Sequence, residues 1–115
     1  MTTILLVEDD LNLLRALETL LKGHGYRVRT AADGMLAIRS ACAERPDVVV
    51  SDWMMPGMDG IALIDALKSV PQLADVPFVL TSAVGSPPGI PISGFLRKPF
   101  PASTLLDLLR RIVKP

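Results

Sequence analysis

Val48-Val49-Val50-Ser51-Asp52-Trp53-Met54-Met55-Pro56-Gly57-Met58-Asp59-Gly60 carries a run of β-branched residues that stops on an aspartate and gives way to a loop punctuated by proline and glycine. Three valines in a row, after the breaker Pro46, read as a strand buried on both faces. Asp52 then stands where a central parallel strand runs out, the place where open α/β sheets collect ligands. Taken alone, the aspartate can equally do no more than begin a turn.

The segments on either side decide the architecture. Upstream, Thr3-Ile4-Leu5-Leu6-Val7 reads as a first strand ending on the acids Glu8, Asp9 and Asp10. Leu13, Leu14, Leu17, Leu20 and Leu21 then recur at helical spacing, with Asp10 placed to cap the helix and Gly23 or Gly25 to end it. Tyr26 to Thr30 alternates as a half-exposed edge strand should, and Asp33-Gly34 opens a second helix that stops before Pro46. Downstream, Gly60 leads into a third helix (Ile61, Leu63, Ile64, Leu67), capped by Asp59, and Pro71 to Pro77 is a connector. Phe78 to Thr81 is a fourth strand, Gly94 to Arg97 a short fifth, and a last helix starts near Pro101. Strands alternating with helices imply a parallel sheet with right-handed crossovers and helices on both faces. Five such strands suggest a flavodoxin-like three-layer α/β sandwich with strand order 2-1-3-4-5.

The composition fits one domain over residues 1–115, half of it apolar and 21% charged. Twelve basic and twelve acidic residues cancel, leaving no net field for nucleic acid or an anionic membrane. A single cysteine, Cys42, excludes an intramolecular disulfide and suits a reducing compartment. With no basic leader before the first strand and no apolar run long enough to span a bilayer, the expected location is cytoplasmic.

In a parallel sheet the carboxyl ends of all strands share one rim. That rim collects Glu8 and Asp9, Asp52, Ser82 and Lys98. Carboxylates so close disfavour one another's ionisation, and a divalent cation relieves them. Oxygen donors without Cys or His suit Mg²⁺. A carboxylate can attack phosphorus to form an aspartyl-phosphate, and phosphoryl transfer asks mainly for positioning and charge neutralisation. Lys98 and the Ser82 hydroxyl supply the charge and the hydrogen bond that such a transfer needs.

Ile4-Leu5-Leu6-Val7-Glu8-Asp9-Asp10, Asp33-Gly34 with Ala37, Asp52 through Gly60, Ser82-Ala83 and Lys98-Pro99-Phe100 follow one another at spacings that resemble the receiver domain of bacterial two-component response regulators. The resemblance covers essentially the whole chain. It implies that Asp52 is the phosphoacceptor, that Asp9 touches Mg²⁺ directly and Glu8 through water, and that Asp52 and the Met54 backbone carbonyl complete the protein ligands. It also implies that Ser82 is the switch hydroxyl, Lys98 the charge partner of the phosphoryl group, and Phe95 the aromatic switch position. Thr81 is a rival to Ser82, which is preferred because it directly precedes Ala83 and lies thirty residues past Asp52. Phe95 lacks the hydroxyl of the tyrosine often found there, so its motion must be driven by packing.

The chain departs from the family between the fourth and fifth strands. Ala83 to Ser93 holds Pro87, Pro88 and Pro91, which remove backbone donors and leave just enough length for an extended crossover. The family's fourth helix is therefore expected to be absent or reduced to a turn, leaving one sheet face less covered and diverting output to another surface. His24 reads as a solvated helix-end cation, Cys42 as a small packing residue, the leucine stripes as core, Trp53 as partly exposed, and Arg27 and Arg29 as a solvated edge.

The reading is a phosphoryl-accepting receiver that catalyses only its own phosphorylation and dephosphorylation. Its donor would be a histidine kinase or a histidine phosphotransfer protein, and its output partner is unidentified, with room for a homodimer through a non-standard face. The chain ends soon after the last helix, so either a stand-alone receiver or a domain cut from a larger protein is expected. Two alternatives stand beside it: a phosphorylation-independent pseudo-receiver acting as an interaction module, and a Mg²⁺-dependent aspartyl-phosphate phosphatase. The intact residue set argues against the first. Met54, where such a phosphatase would use an acid, argues against the second.

Overall fold

The structure, a computed structural model, describes residues 1–85 and 89–113. Five strands, β1 (Thr3–Val7), β2 (Arg27–Ala31), β3 (Val48–Asp52), β4 (Phe78–Ser82) and β5 (Gly94–Arg97), pair in parallel in the order β2-β1-β3-β4-β5. Helices α1 (Leu11–Gly23), α2 (Gly34–Ala43), α3 (Gly60–Lys68) and α4 (Ala102–Ile112) cover the sheet. Among the described residues no helix lies between β4 and β5, so α4 here is the last helix of the chain. Ser86, Pro87 and Pro88 of the expected helix-free stretch lie outside the described residues.

Alternation along the central strands divides the core into two layers. Leu5, Val7, Val49 and Leu80 face α2 and α3, where they meet Ala37, Ala41, Leu63, Ile64 and Leu67. Ile4, Leu6, Val48, Val50 and Val79 face the other way, against Leu14 and Leu21 of α1 and Leu105, Leu106 and Leu109 of α4. β1, β3 and β4 are buried throughout, which is why they read as continuous apolar runs. Asp10, Asp33 and Asp59 cap α1, α2 and α3 by accepting backbone N–H bonds. Pro101 precedes α4 without a side-chain cap, and the connector after α3 contains a 3₁₀ turn at Pro71–Leu73 that buries Leu73.

The crossover into β5 partly closes the face that the missing helix would cover. Ile90 and Ile92 pack on the α2/α3 layer, Ser93 N–H donates to the Phe78 carbonyl at 2.8 Å, and Lys68 Nζ donates to the Pro91 carbonyl at 3.0 Å. The expected uncovered patch is thus smaller than the loss of a helix suggests.

Several surface expectations are corrected. Arg29 is not solvated: its guanidinium donates to the Ser40 carbonyl at 2.6 Å, the Glu44 carbonyl at 2.8 Å and the Glu44 carboxylate at 2.7 Å. The Glu44 carbonyl lies at the end of α2, where intrahelical donors run out, and the Ser40 carbonyl, which already accepts the Glu44 N–H at 3.1 Å, takes a second bond from Arg29. Arg29→Ala should therefore lower the unfolding free energy by about 2 kcal/mol, through loss of charge-assisted bonds, read as a lower urea midpoint; an unchanged midpoint would make the clamp incidental. Cys42 is exposed rather than packed. Leu13, Leu17 and Leu20 are only half-buried and, with Phe100, line a groove of about 600 Å³ between α1 and the start of α4. His24 closes α1, its ring Nδ1 lying 3.0 Å from the Leu20 carbonyl.

Candidate functional site

Asp52 is the last residue of β3, and the next residue is already tied to the neighbouring strand: Trp53 N–H donates to the Thr81 carbonyl at 2.8 Å. The loop then returns to α3, where Gly60 N–H donates to the Trp53 carbonyl at 2.8 Å. A side chain at Gly60 would place its Cβ 2.7 Å from the Asp52 carbonyl oxygen and 3.0 Å from Trp53 Cα. Those neighbours are backbone and cannot swing aside, so glycine is required for the loop to close this tightly.

From the adjacent strand, β1 delivers Glu8 and Asp9. Glu8 N–H donates to the Ala31 carbonyl at 3.1 Å, which anchors the turn to the end of β2. Glu8 and Asp52 are buried and Asp9 is exposed, and carboxylate oxygens of all three lie within 4.8 Å of one another. Lys98 follows β5, its N–H bonded to the Ser82 carbonyl at 2.8 Å. Its ammonium sits 2.6 Å from Glu8 Oε1 and 3.4 Å from Asp52 Oδ2. The second Glu8 oxygen accepts the Asp10 N–H at 3.1 Å.

These contacts set the electrostatics. Burial pushes the Glu8 carboxyl above its ordinary pKa, more than the Lys98 bond and the Asp10 amide pull it down, and the Asp52 charge adds to the rise. Burial works to lower the Lys98 pKa, but the bond to Glu8 and the charges of Glu8 and Asp52 outweigh it, so the ammonium is held above its usual range. Three carboxylates face one ammonium. That surplus of negative charge on hard oxygen donors, with no sulfur or imidazole among them, matches a hard divalent cation such as Mg²⁺.

The other expected site residues are placed differently. Ser82 is buried at the end of β4, but its hydroxyl donates to the Val84 carbonyl instead of entering the acidic cluster. Thr81 is an interior strand residue whose hydroxyl faces the Ser51 carbonyl at 3.5 Å. Met54 is 63% exposed. Phe95 is half-buried and meets Trp53 edge-on, ring centroids 6.5 Å apart. Sequence reasoning missed two partners, the Asp10 amide and the Val84 carbonyl. The latter belongs to a local serine turn, a habit of Ser that was available as a signal.

The family model described as the response regulator receiver domain matches residues 4–110. Among curated relatives, the C4-dicarboxylate transport transcriptional regulatory protein DctD of Pseudomonas aeruginosa is 38% identical over 98% of this chain and 25% of its own length. The transcriptional regulatory protein PrrA of Mycobacterium tuberculosis is 42% identical over 72% of this chain and 35% of its own. The chain thus spans a quarter to about a third of these two relatives. Among solved structures, the chemotaxis protein CheY4 of Vibrio cholerae superposes with a TM-score of 0.92 at 33% identity, covering 98% of this chain and 99% of that one.

Proposed function

This chain belongs to the receiver family of response regulators, and from that premise we propose that Asp52 accepts a phosphoryl group from a phosphohistidine donor and that the added charge changes what the domain binds. The observation that carries the reading is the convergence of Glu8, Asp9 and Asp52 within 4.8 Å, with Lys98 in contact with two of them. An Asp52 carboxylate oxygen attacks phosphorus; the P–O bond forms as the P–N bond breaks, and the imidazole leaves with the electron pair and takes up a proton.

Glu8, Asp9, Asp52 and the Met54 carbonyl would hold Mg²⁺, Glu8 through water. Bound there, the cation supplies charge neutralisation for the carboxylates and the transferred oxygens. Lys98 provides the remaining positive charge beside Asp52 Oδ2. The phosphoryl group adds about −1.5 to −2 charges. Ser82 reads it by exchanging its bond to the Val84 carbonyl for one to a phosphoryl oxygen, which pulls on the first residues of the crossover. Phe95, edge-on to Trp53, follows by packing. The donor is a histidine kinase or a histidine phosphotransfer protein, and the domain works in the cytoplasm as a switch whose only catalysis is on its own acyl phosphate.

Trp53 is the only tryptophan and directly follows Asp52. Its emission should change on adding Mg²⁺ and change again on adding a small phosphodonor. A signal indifferent to Mg²⁺ would count against the metal site, and one that responds to Mg²⁺ but not to the donor would favour a binding module over a phosphoacceptor.

A further inference from the structure

Gly34 is the first residue of α2 and is buried, and the backbone there is not left-handed. Glycine costs about 1 kcal/mol relative to alanine in a helix, so space, not conformation, explains it. A Cβ on Gly34 would lie 2.7 Å from Met58 Sδ, 2.9 Å from its Cγ and 3.0 Å from its Cβ. Because the Met58 Cβ itself is so near, a rotamer change cannot clear the clash; the loop backbone would have to move.

That loop is the one between Asp52 and α3. It is fixed at its two ends by the Trp53 and Gly60 hydrogen bonds, while Met55 buries in the α2/α3 layer and Met58 rests on Gly34. Gly34 in turn lies three residues past Ala31, whose carbonyl holds the Glu8 N–H. The contact therefore closes a circuit: the turn carrying Glu8 and Asp9, the end of β2, the start of α2, Met58, and back to Asp52.

We infer that the Gly34–Met58 contact is a positioning device that holds the loop carrying Asp52 and Met54 at a set distance from Glu8 and Asp9, and so sets the affinity of the site for a divalent cation. The inference rests on the metal-binding reading above, and neither residue touches the cation. Met58 is the positioning residue, and Gly34 is the surface against which it is seated.

A double-mutant cycle tests it with Mg²⁺ titrations followed by Trp53 emission, on the unmodified protein, Gly34→Ala, Met58→Ala and the double variant. Gly34→Ala should weaken Mg²⁺ by about tenfold, the scale expected for groups that orient metal ligands. Met58→Ala alone should weaken it by less than Gly34→Ala does, since it removes the support without forcing the loop away. In the Met58→Ala background the Gly34→Ala change should cost less than it does in the unmodified protein, because the approaches to Sδ and Cγ are removed and only the 3.0 Å contact with the β-carbon remains. Gly34→Ala affinity within about twofold of the unmodified protein overturns the inference, as does an equal loss in both backgrounds. Should Gly34→Ala melt below the assay temperature, Met58→Ala decides alone: unchanged affinity overturns the inference and weakened affinity supports it. No response in the unmodified protein would overturn the metal reading itself and this inference with it, whereas a normal response with indifferent variants overturns only the inference.

Discussion

Lys98→Met is expected to lower the unfolding free energy of the metal-free protein by about 3 kcal/mol near neutral pH, the usual cost of stripping a buried charge of its partner. Glu8 carries this penalty. Its carboxylate side chain is 5% exposed and Lys98 Nζ is 2.6 Å away, while Asp52, also buried, loses its contact at 3.4 Å. The penalty should depend on pH with a definite sign. Burial already raises the Glu8 pKa, and Lys98 is the largest influence lowering it, so removing Lys98 raises it further. A carboxyl with a raised folded pKa keeps its proton where the unfolded chain has lost it, so stability falls as pH climbs through that interval. The Lys98→Met penalty should therefore be larger at about pH 8 than at about pH 5, where Glu8 can protonate. Urea midpoints at the two pH values read this directly. A penalty that is small, or the same at both, would mean that the pair is solvated in a way the 2.6 Å contact does not suggest.

Asp52→Asn should have two effects of opposite sign. It should abolish phosphoryl uptake, because the proposed nucleophile is gone. It should also raise the stability of the metal-free protein by about 1 kcal/mol, roughly 4 °C in melting temperature for a domain of this size. The lone ammonium is committed first to Glu8, at 2.6 Å against 3.4 Å to Asp52, which leaves Asp52 as surplus charge in the cluster. Adding Mg²⁺ should reverse the order, stabilising the unmodified protein more than the variant, because binding to the folded state alone stabilises it by mass action. A variant no more stable than its parent without metal would contradict the crowding of charge at the rim.

How much of this was legible in the sequence follows from what period and strand order can encode. Val48 to Val50 announced a strand buried on both faces, and parallel topology then brought Glu8, Asp9, Asp52 and Lys98 to one rim without any side-chain detail. The prolines of the crossover excluded a helix by chemistry local to the chain, and no helix appears there among the described residues. What escaped depends on partners far away in sequence. Arg29 looked solvated because strand alternation says which face a residue takes, not that a helix end lies beside that face. Cys42 and the outer leucines of α1 were assigned to the core because helical spacing marks a stripe but not how much of its width is covered. Gly34 was read as a helix opener, and its close approach to Met58, twenty-four residues on, belongs to the packing of the start of α2 against the loop after β3. Ser82 ends β4 at the rim as expected, and the local turn in which its hydroxyl bonds the Val84 carbonyl is the detail that strand order does not encode.

The central claim is that Asp52 takes a phosphoryl group with the help of a divalent cation. Intact-mass measurement after incubation with Mg²⁺ and a small phosphodonor tests it most directly, with Asp52→Asn and a metal-chelated sample alongside. The predicted result is a gain of one phosphoryl group in the unmodified protein only, removable by hydroxylamine as an acyl phosphate should be. An unmodified protein that gains no mass, or an Asp52→Asn variant that gains the same, would contradict it.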